Sequence, residues 1–317
     1  MPLTNTDLQY YDSNVLRLTA DKRKEYHEQV DNLIAELKKH VTQQTDLKIT
    51  RVVKAGSFAK YTILRKTSED PIDVDVVFYI NGEGLDDATR DGLNELIHKL
   101  LIKIYPQKSV KDFEIQRRAA TVTFVKSGLA VDIVPVIQDS SSSDHGDQFD
   151  RETGERNRTC APCHIQFIRN RKEKDKHYRT LVRMAKRWKN FTKPPGLKSF
   201  HIELILGYLV DRDGATTSIE KRFREFLGYL AQTGLDERID FPENDCNFNK
   251  SFSDPVVIID PANHENNVAS RITAEEKKKI KDMARQFWEI SFDASVQEDE
   301  EMWKEVFGPR FKICGLT

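Results

Sequence analysis

Long apolar runs are missing from this chain of 317 residues, and so is any excess of charge. No stretch approaches the roughly 18 consecutive apolar residues of a membrane helix, so no membrane partner is expected. The opening MPLTNTDLQYYDSN lacks the charged-then-apolar order of a signal peptide, and a cytoplasmic location is the expectation. Fifty basic residues against 51 acidic ones leave a formal net charge of -1, which removes any global attraction to a polyanion. A basic site has to be local. Cysteine is scarce: four residues (Cys160, Cys163, Cys246 and Cys314) do not make a disulfide framework, and a cytosol keeps them reduced, so they read as ordinary thiols. Internal repeats and low-complexity tracts are absent too. What is present is 38% hydrophobic and 32% charged, enough core for one large soluble domain or two ordinary ones.

The apolar spacing from Thr6 to about His40, with Val30, Leu33, Ile34 and Leu37 on one face, predicts a long N-terminal helix. A strand at 49–54, a turn at Gly56, a short helix from Ser57, a strand at 73–80 and a helix over 87–105 follow. AATVTFVKSGLAVDIVPVI reads as two strands joined through Lys126-Ser127-Gly128, a tight hairpin. The polar stretch 140–157 reads as a long loop. Beyond it the pattern is helical: Leu181, Met184, Ala185 and Trp188 form one stripe, and Phe200, Leu204, Ile205 and Leu209 another, with Pro194-Pro195-Gly196 between them and a further helix over 275–292. The order is a mixed α/β half followed by a helical half.

Within the alternation of DVDVV, Asp73 and Asp75 point to one face of their strand while Val74 and Val76 point to the other. Two like charges held a few ångströms apart raise at least one pKa or require a cation between them. An edge strand does carry acids simply to resist aggregation, but a third acid, Asp132, stands between Val131 and Ile133 in the second hairpin strand. Burying it unpaired is costly, so its expected reason is to join the Asp73/Asp75 pair on a neighbouring strand of one sheet. Three converging carboxylates suit two magnesium ions that take their remaining ligands from substrate phosphates, the arrangement for nucleotidyl transfer. Gly56 and Ser57 suit a phosphate, because glycine admits close backbone approach and a helix start offers free N–H donors.

The combination of Gly-Ser, then Asp-x-Asp, then a lone Asp in a later strand resembles the polymerase-β-like nucleotidyltransferase superfamily. AVDIVPV, LVRMAKRWK, LKSFHIELIL and IIDPANHENNVASRI resemble the cyclic-oligonucleotide synthases of bacterial anti-phage CBASS systems, clades C and D, relatives of oligoadenylate synthase and cyclic GMP-AMP synthase. The resemblance runs from Ile49 to Arg271. It implies an α+β fold: a nucleotidyltransferase lobe of mixed sheet and helices (1–158), a helical lobe (159–317) and an active site in the cleft between them. Asp73, Asp75 and Asp132 would bind two Mg2+ ions, with Mn2+ as the alternative, and Asp132 would also be the general base for a ribose hydroxyl. Gly56 and Ser57 would hold the donor triphosphate. Lys186 matches the family's phosphate-contacting lysine, Ser199 its second phosphate-contacting serine, and Lys198 is a neighbour of that pair. NTPs, ATP first, would be the substrates, and an adenine-rich cyclic oligonucleotide, a trinucleotide among the options, the product. A HORMA-domain regulator and a nucleic-acid activator are the partners the resemblance brings into view. His264 stands where the family's DPxxPxNNV stretch commonly has proline, a departure away from the acids.

Two rival readings remain beside this one: a linear nucleotide-adding enzyme acting on RNA or a small molecule, and a catalytically silent nucleic-acid sensor. Between Arg169 and Lys198 twelve Lys/Arg stand against Glu173 and Asp175. Such a run is either a basic surface for polyphosphate or nucleic acid, or a solvated helix face offset by acidic neighbours; no aromatic stacking series accompanies it. Cys160-Ala-Pro-Cys163-His164 has the spacing of half a zinc site, with Cys246 or a distant histidine needed to complete it, against two reduced thiols that begin a helix. His201 and His264 read as packing and loop residues.

Overall fold

The computed structural model describes residues 3–68, 70, 72–244 and 250–314. The chain opens with α1 (Asn5–Tyr11), whose Thr4 capping box with Asp7 satisfies the first free N–H groups. A π turn over Asp12–Leu16 follows, and α2 (Ala20–Gln44) resumes behind an N-cap at Thr19. The long helix expected from Thr6 is therefore two helices. The break has a backbone cause: Arg17 is extended and bridges Leu64, and Arg65 N–H donates to the Leu16 carbonyl, so these groups bond to another segment and not along the helix. After the interruption α2 keeps one apolar stripe, burying Tyr26, Val30, Leu33, Leu37 and Val41.

Then come β1 (Ile49–Lys54), α3 (Gly56–Lys60) and β2 (Asp73–Asn81). The helix expected over 87–105 is α4 (Asp87–Asp91) and α5 (Leu93–Ile104), parted at Gly92. β3 (Phe113–Ile115), β4 (Ala120–Phe124) and β5 (Leu129–Gln138) form an antiparallel meander, with Gly128 at φ 66° in the β4–β5 turn. The stretch read as a long loop carries two strands, β6 (Gly146–Phe149) and β7 (Arg156–Thr159). They are too short and polar to show alternation, and their pairing rests on β5. The sheet order is β1-β2-β5-β4-β3, with β6 continuing from the far end of β5 and β7 beside it. β2 and β5 are parallel; the other neighbours are antiparallel.

The remaining elements are α6 (Ala161–Lys174), α7 (Tyr178–Thr192), α8 (Ser199–Asp213), α9 (Ile219–Thr233), a two-stranded ribbon of β8 (Ile259–Asp260) and β9 (Asn263–Asn267), α10 (Ala274–Gln297) and α11 (Glu300–Phe307). Among the described residues no helix is long and apolar enough to cross a membrane.

The chain forms two compact units. The α/β unit comprises Leu18–Tyr61 and Ile72–Ile165; the helical unit comprises Met1–Arg17, Thr62–Pro71 and Gln166–Thr317. A single division at residue 158 therefore assigns three segments differently, 1–17, 62–71 and 159–165. The N-terminal segment belongs with the helices because it is packed and paired there. Tyr11 stacks edge-on against Phe311 at 4.8 Å, and Asp12, fully buried, accepts from Arg183 Nε at 2.5 Å and from Thr180 Oγ1 at 3.1 Å. Trp188 of α7, fully buried, meets Phe226 of α9 at 6.1 Å in the same core.

Candidate active site

The acid cluster is built by strand register. On β2, Asp73 and Asp75 share a face, as the alternation predicts, and the parallel partner of Asp75 on β5 is Asp132. The antiparallel partner of Asp132 on β4 is Thr121, whose hydroxyl donates to Asp132 Oδ1 at 2.6 Å; Gln116 Nε2 lies 3.4 Å from the same oxygen. Carboxylate oxygens of Asp73, Asp75 and Asp132 all lie within 4.8 Å of one another. Two parallel strands, β2 and β5, therefore bring together what lies 59 residues apart in the chain, Asp73 to Asp132.

The electrostatics follow from that crowding. Burial first, then the neighbouring charges of Asp73 and Asp132, push the Asp75 carboxyl up to about 7; the Lys60 ammonium at the end of α3 partly offsets this. Burial raises Asp132 to about 6 against the lowering effect of the Thr121 hydrogen bond, with Asp73 and Glu114 adding to the rise. Two partly protonated acids on a sheet face are a site that favours a cation, because a divalent ion removes both the burial cost and the mutual repulsion.

Gly56 completes the cradle. Its φ is 59°, and a Cβ there would stand 1.6 Å from Asp75 Oδ2, so only glycine lets the backbone pass the carboxylate. Ala55 N–H donates to the Asp75 backbone carbonyl at 2.7 Å, tying the turn to β2, and Ser57 follows in the first turn of α3. The oxygen-only donor set and the glycine approach both fit a hard divalent metal with phosphate ligands.

The structure places the other expected site residues in the helical unit. Lys186 is buried: its Nζ lies 2.6 Å from Glu203 Oε1 and 3.0 Å from Thr62 Oγ1, so its charge already has a partner. Ser199 is the first residue of α8, and its Oγ accepts from Lys189 Nζ at 3.3 Å. Lys198 is the N-cap of that helix. His201 is neutral and structural: burial lowers it to about 4, Nδ1 accepts from Lys198 N–H at 3.1 Å and Nε2 donates to the Val268 carbonyl at 3.0 Å. In the basic run Arg171, Lys174, Arg183, Lys186 and Arg187 form ion pairs with acids outside it.

The thiols differ from expectation. Cys160 and Cys163 are joined by a disulfide, their Cα atoms 5.3 Å apart across the first turn of α6. Cys314 is free and exposed, and Cys246 lies outside the described residues. Thr121, Gln116 and Lys60 are the functional neighbours that the linear reading missed. A symmetric hairpin on Lys126-Ser127-Gly128 would set Val122 opposite Asp132; the connection is one residue longer, with Phe124 paired to Leu129, and this brings Thr121 opposite Asp132 instead.

Comparison with known proteins covers the part of the chain that carries this geometry. The family model of the second messenger oligonucleotide or dinucleotide synthetase domain matches residues 1–171, which include all three acids. The chain is 54% identical over 313 residues to the CBASS oligonucleotide cyclase CdnC of Escherichia coli strain KTE188, with 99% of each chain covered. The chain belongs to this synthetase family. The synthetase is also 34% identical to the cyclic AMP-AMP-AMP synthase of E. coli strain MS 115-1, over 94% of each chain. Its fold superposes on E. coli MS115-1 CdnC with ATP at a TM-score of 0.83, with 32% identity over 98% of this chain and 99% of that one. It superposes on a CdnC:HORMA complex at 0.81, with 32% identity and 98% of each chain covered. The synthetase is thus a polymerase-β-like nucleotidyltransferase that makes oligonucleotide second messengers, a family that generally uses a divalent metal.

Proposed function

We propose that Asp73, Asp75 and Asp132 are the metal-binding and catalytic residues of a synthase that joins NTPs, ATP first, into a cyclic oligonucleotide for anti-phage defence. The observation that carries this reading is the register match of Asp75 with Asp132 beside Asp73, three oxygen ligands on one sheet face, with the Asp75 and Asp132 carboxyls raised by burial and mutual charge. Two Mg2+ ions, or Mn2+, would be held by these carboxylates and by substrate phosphates, supplying Lewis-acid stabilisation of phosphate charge. Asp132, whose carboxyl burial raises to about 6 in the metal-free chain, takes the proton from the attacking ribose hydroxyl, and Thr121 holds its carboxylate in place for that transfer. Gly56 and Ser57 offer backbone N–H and a hydroxyl to the donor triphosphate. Ser199 and Lys186 carry the phosphate-contacting roles that the resemblance implies; Lys186 does so on exchanging Glu203 for a phosphate oxygen.

An adenine-rich ring, a trinucleotide among the candidates, is supported by the cyclic AMP-AMP-AMP synthase relative, and a HORMA-domain regulator by the CdnC:HORMA complex. The test is incubation of the purified chain with four labelled NTPs and Mg2+, with and without a HORMA protein or duplex DNA, followed by phosphatase and mass spectrometry. A phosphatase-resistant ring, absent with Asp73→Ala/Asp75→Ala, is the expected product. A linear, phosphatase-sensitive product would replace the cyclase reading, and turnover by the double variant would overturn the metal assignment.

A further inference from the structure

A second cluster of metal-ligating side chains lies away from the acids. The sulfurs of Cys160 and Cys163 and a ring nitrogen of His145 all lie within 4.8 Å of one another, and Cys163 Sγ is 3.9 Å from His145 Nε2. The fold explains the meeting. Gly146 of β6 pairs with Thr159 of β7, so the residue before one strand and the residue after the other, His145 and Cys160, stand at the same end of the ladder. The first turn of α6 then returns Cys163 beside Cys160.

We propose that, with the cysteines reduced, Cys160, Cys163 and His145 bind one zinc ion, water taking the fourth position. Two thiolates and an imidazole are a borderline-soft set that selects zinc over magnesium or calcium, and three protein ligands with an open fourth position are an established zinc arrangement. The imidazole is oriented for the role. His145 Nδ1 lies 3.1 Å from Ser142 Oγ, and with Nδ1–H donating there the Nε2 lone pair faces the sulfurs, the kind of outer partner that metal-bound histidines use. The sulfur side is prepared as well. Cys163 N–H donates to Cys160 Sγ at 3.1 Å, and both cysteines sit at the start of a 14-residue helix, where the dipole favours thiolate.

His164, which the linear spacing offered as a ligand, is the neighbour of Cys163 on a helix and projects about 100° away from it. The true third ligand is the histidine that the strand pairing delivers. The disulfide is the oxidised form of the same pair. A dithiol reductant passes it two electrons and two protons and leaves as its own disulfide; zinc then displaces both thiol protons to solvent. Bound there, the ion ties the β5–β6 turn to the start of α6. Tyr79 of β2 spans the same two segments, donating to the Asp144 carbonyl at 2.8 Å and accepting from Ala161 N–H at 3.3 Å.

The test uses the untagged full-length chain purified with a phosphine reductant and without chelator. Elemental analysis should find about one zinc per chain, and cobalt exchanged for it should give a sulfur-to-cobalt charge-transfer band. His145→Ala and Cys160→Ser/Cys163→Ser should lose the ion, while His164→Ala keeps it. Zinc-free reduced protein with no cobalt band, or metal content that His145→Ala leaves unchanged and His164→Ala abolishes, would overturn the assignment. The cobalt spectrum of the unmodified chain holds the result open to refutation even if a variant fails to fold, and NTP turnover, which rests on the acids, is scored separately.

Discussion

Asp75 shows how one side chain's chemistry depends on groups that its own strand does not carry. Its carboxyl is pushed up to about 7 by burial and by Asp73 and Asp132, so the folded, metal-free chain holds a proton that the unfolded chain has already released. An acid raised in this way contributes stability that is present at low pH and lost as pH climbs from the ordinary carboxylate range through about 7. Metal-free protein should therefore melt at progressively lower temperature as pH rises from about 5 to about 8, and saturating Mg2+ should remove most of that slope. Differential scanning calorimetry with and without Mg2+ measures it, and an unchanged slope would count against a cation at the acids. Gly56 is as tightly specified. Gly56→Ala puts a methyl 1.6 Å from Asp75 Oδ2 at φ 59°, and should cost about 1–3 kcal/mol of stability with a loss of about 100-fold in kcat/KM, read from denaturant melts and initial rates.

At the scale of elements, the β4–β5 hairpin is a device that aims a hydroxyl at a carboxylate. Thr121→Val keeps the strand's shape and removes the hydrogen bond that lowers the Asp132 pKa. The acid limb of the pH–rate profile should accordingly move to higher pH, with kcat affected more than KM. A limb that stays in place would remove Asp132 as the base. Helix α7 is an element of a different kind, a scaffold that carries charge inward. Lys186, buried against Glu203, is the instructive residue: Lys186→Met strands a buried carboxylate and should destabilise the chain by about 3–5 kcal/mol in urea melts. Loss of NTP binding in that variant has meaning only where the folded fraction is intact. A Lys186→Met/Glu203→Gln double variant that regains stability but not NTP affinity would support the phosphate role.

For the molecule as a whole, the two units do not follow the order of the chain. The first 17 residues and the short segment 62–71 belong to the helical unit, where Leu8 and Tyr11 are fully buried and Asp12 neutralises Arg183. Removing residues 1–17 should therefore unfold the helical unit and not simply trim a terminus, with loss of near-ultraviolet circular dichroism as the readout. The same pairing logic answers the question of the basic run. Its local excess of cations is drawn down by Asp12, Asp70, Glu203, Asp211 and Glu243, acids outside the run, so a count along the sequence overstates the charge available to a polyanion.

The sequence by itself determined which face each acid takes, because strand alternation is a property of neighbours in the chain, and it marked Gly56-Ser57 and the hairpin turn through residue types whose backbone preferences are local. It also carried enough of the family's motif for the enzyme class to be read directly. The tertiary structure decided what depends on distant partners: that the parallel neighbour of Asp75 is Asp132, that Leu64 and Arg65 end the first helix, that Lys186 meets Glu203, and that His145, not His164, stands beside the cysteines. Periodicity tells a residue which way to point. Only the packing of segments remote in the chain supplies the charge, hydrogen bond or ligand that it points at, and that is what fixes its pKa and its chemistry.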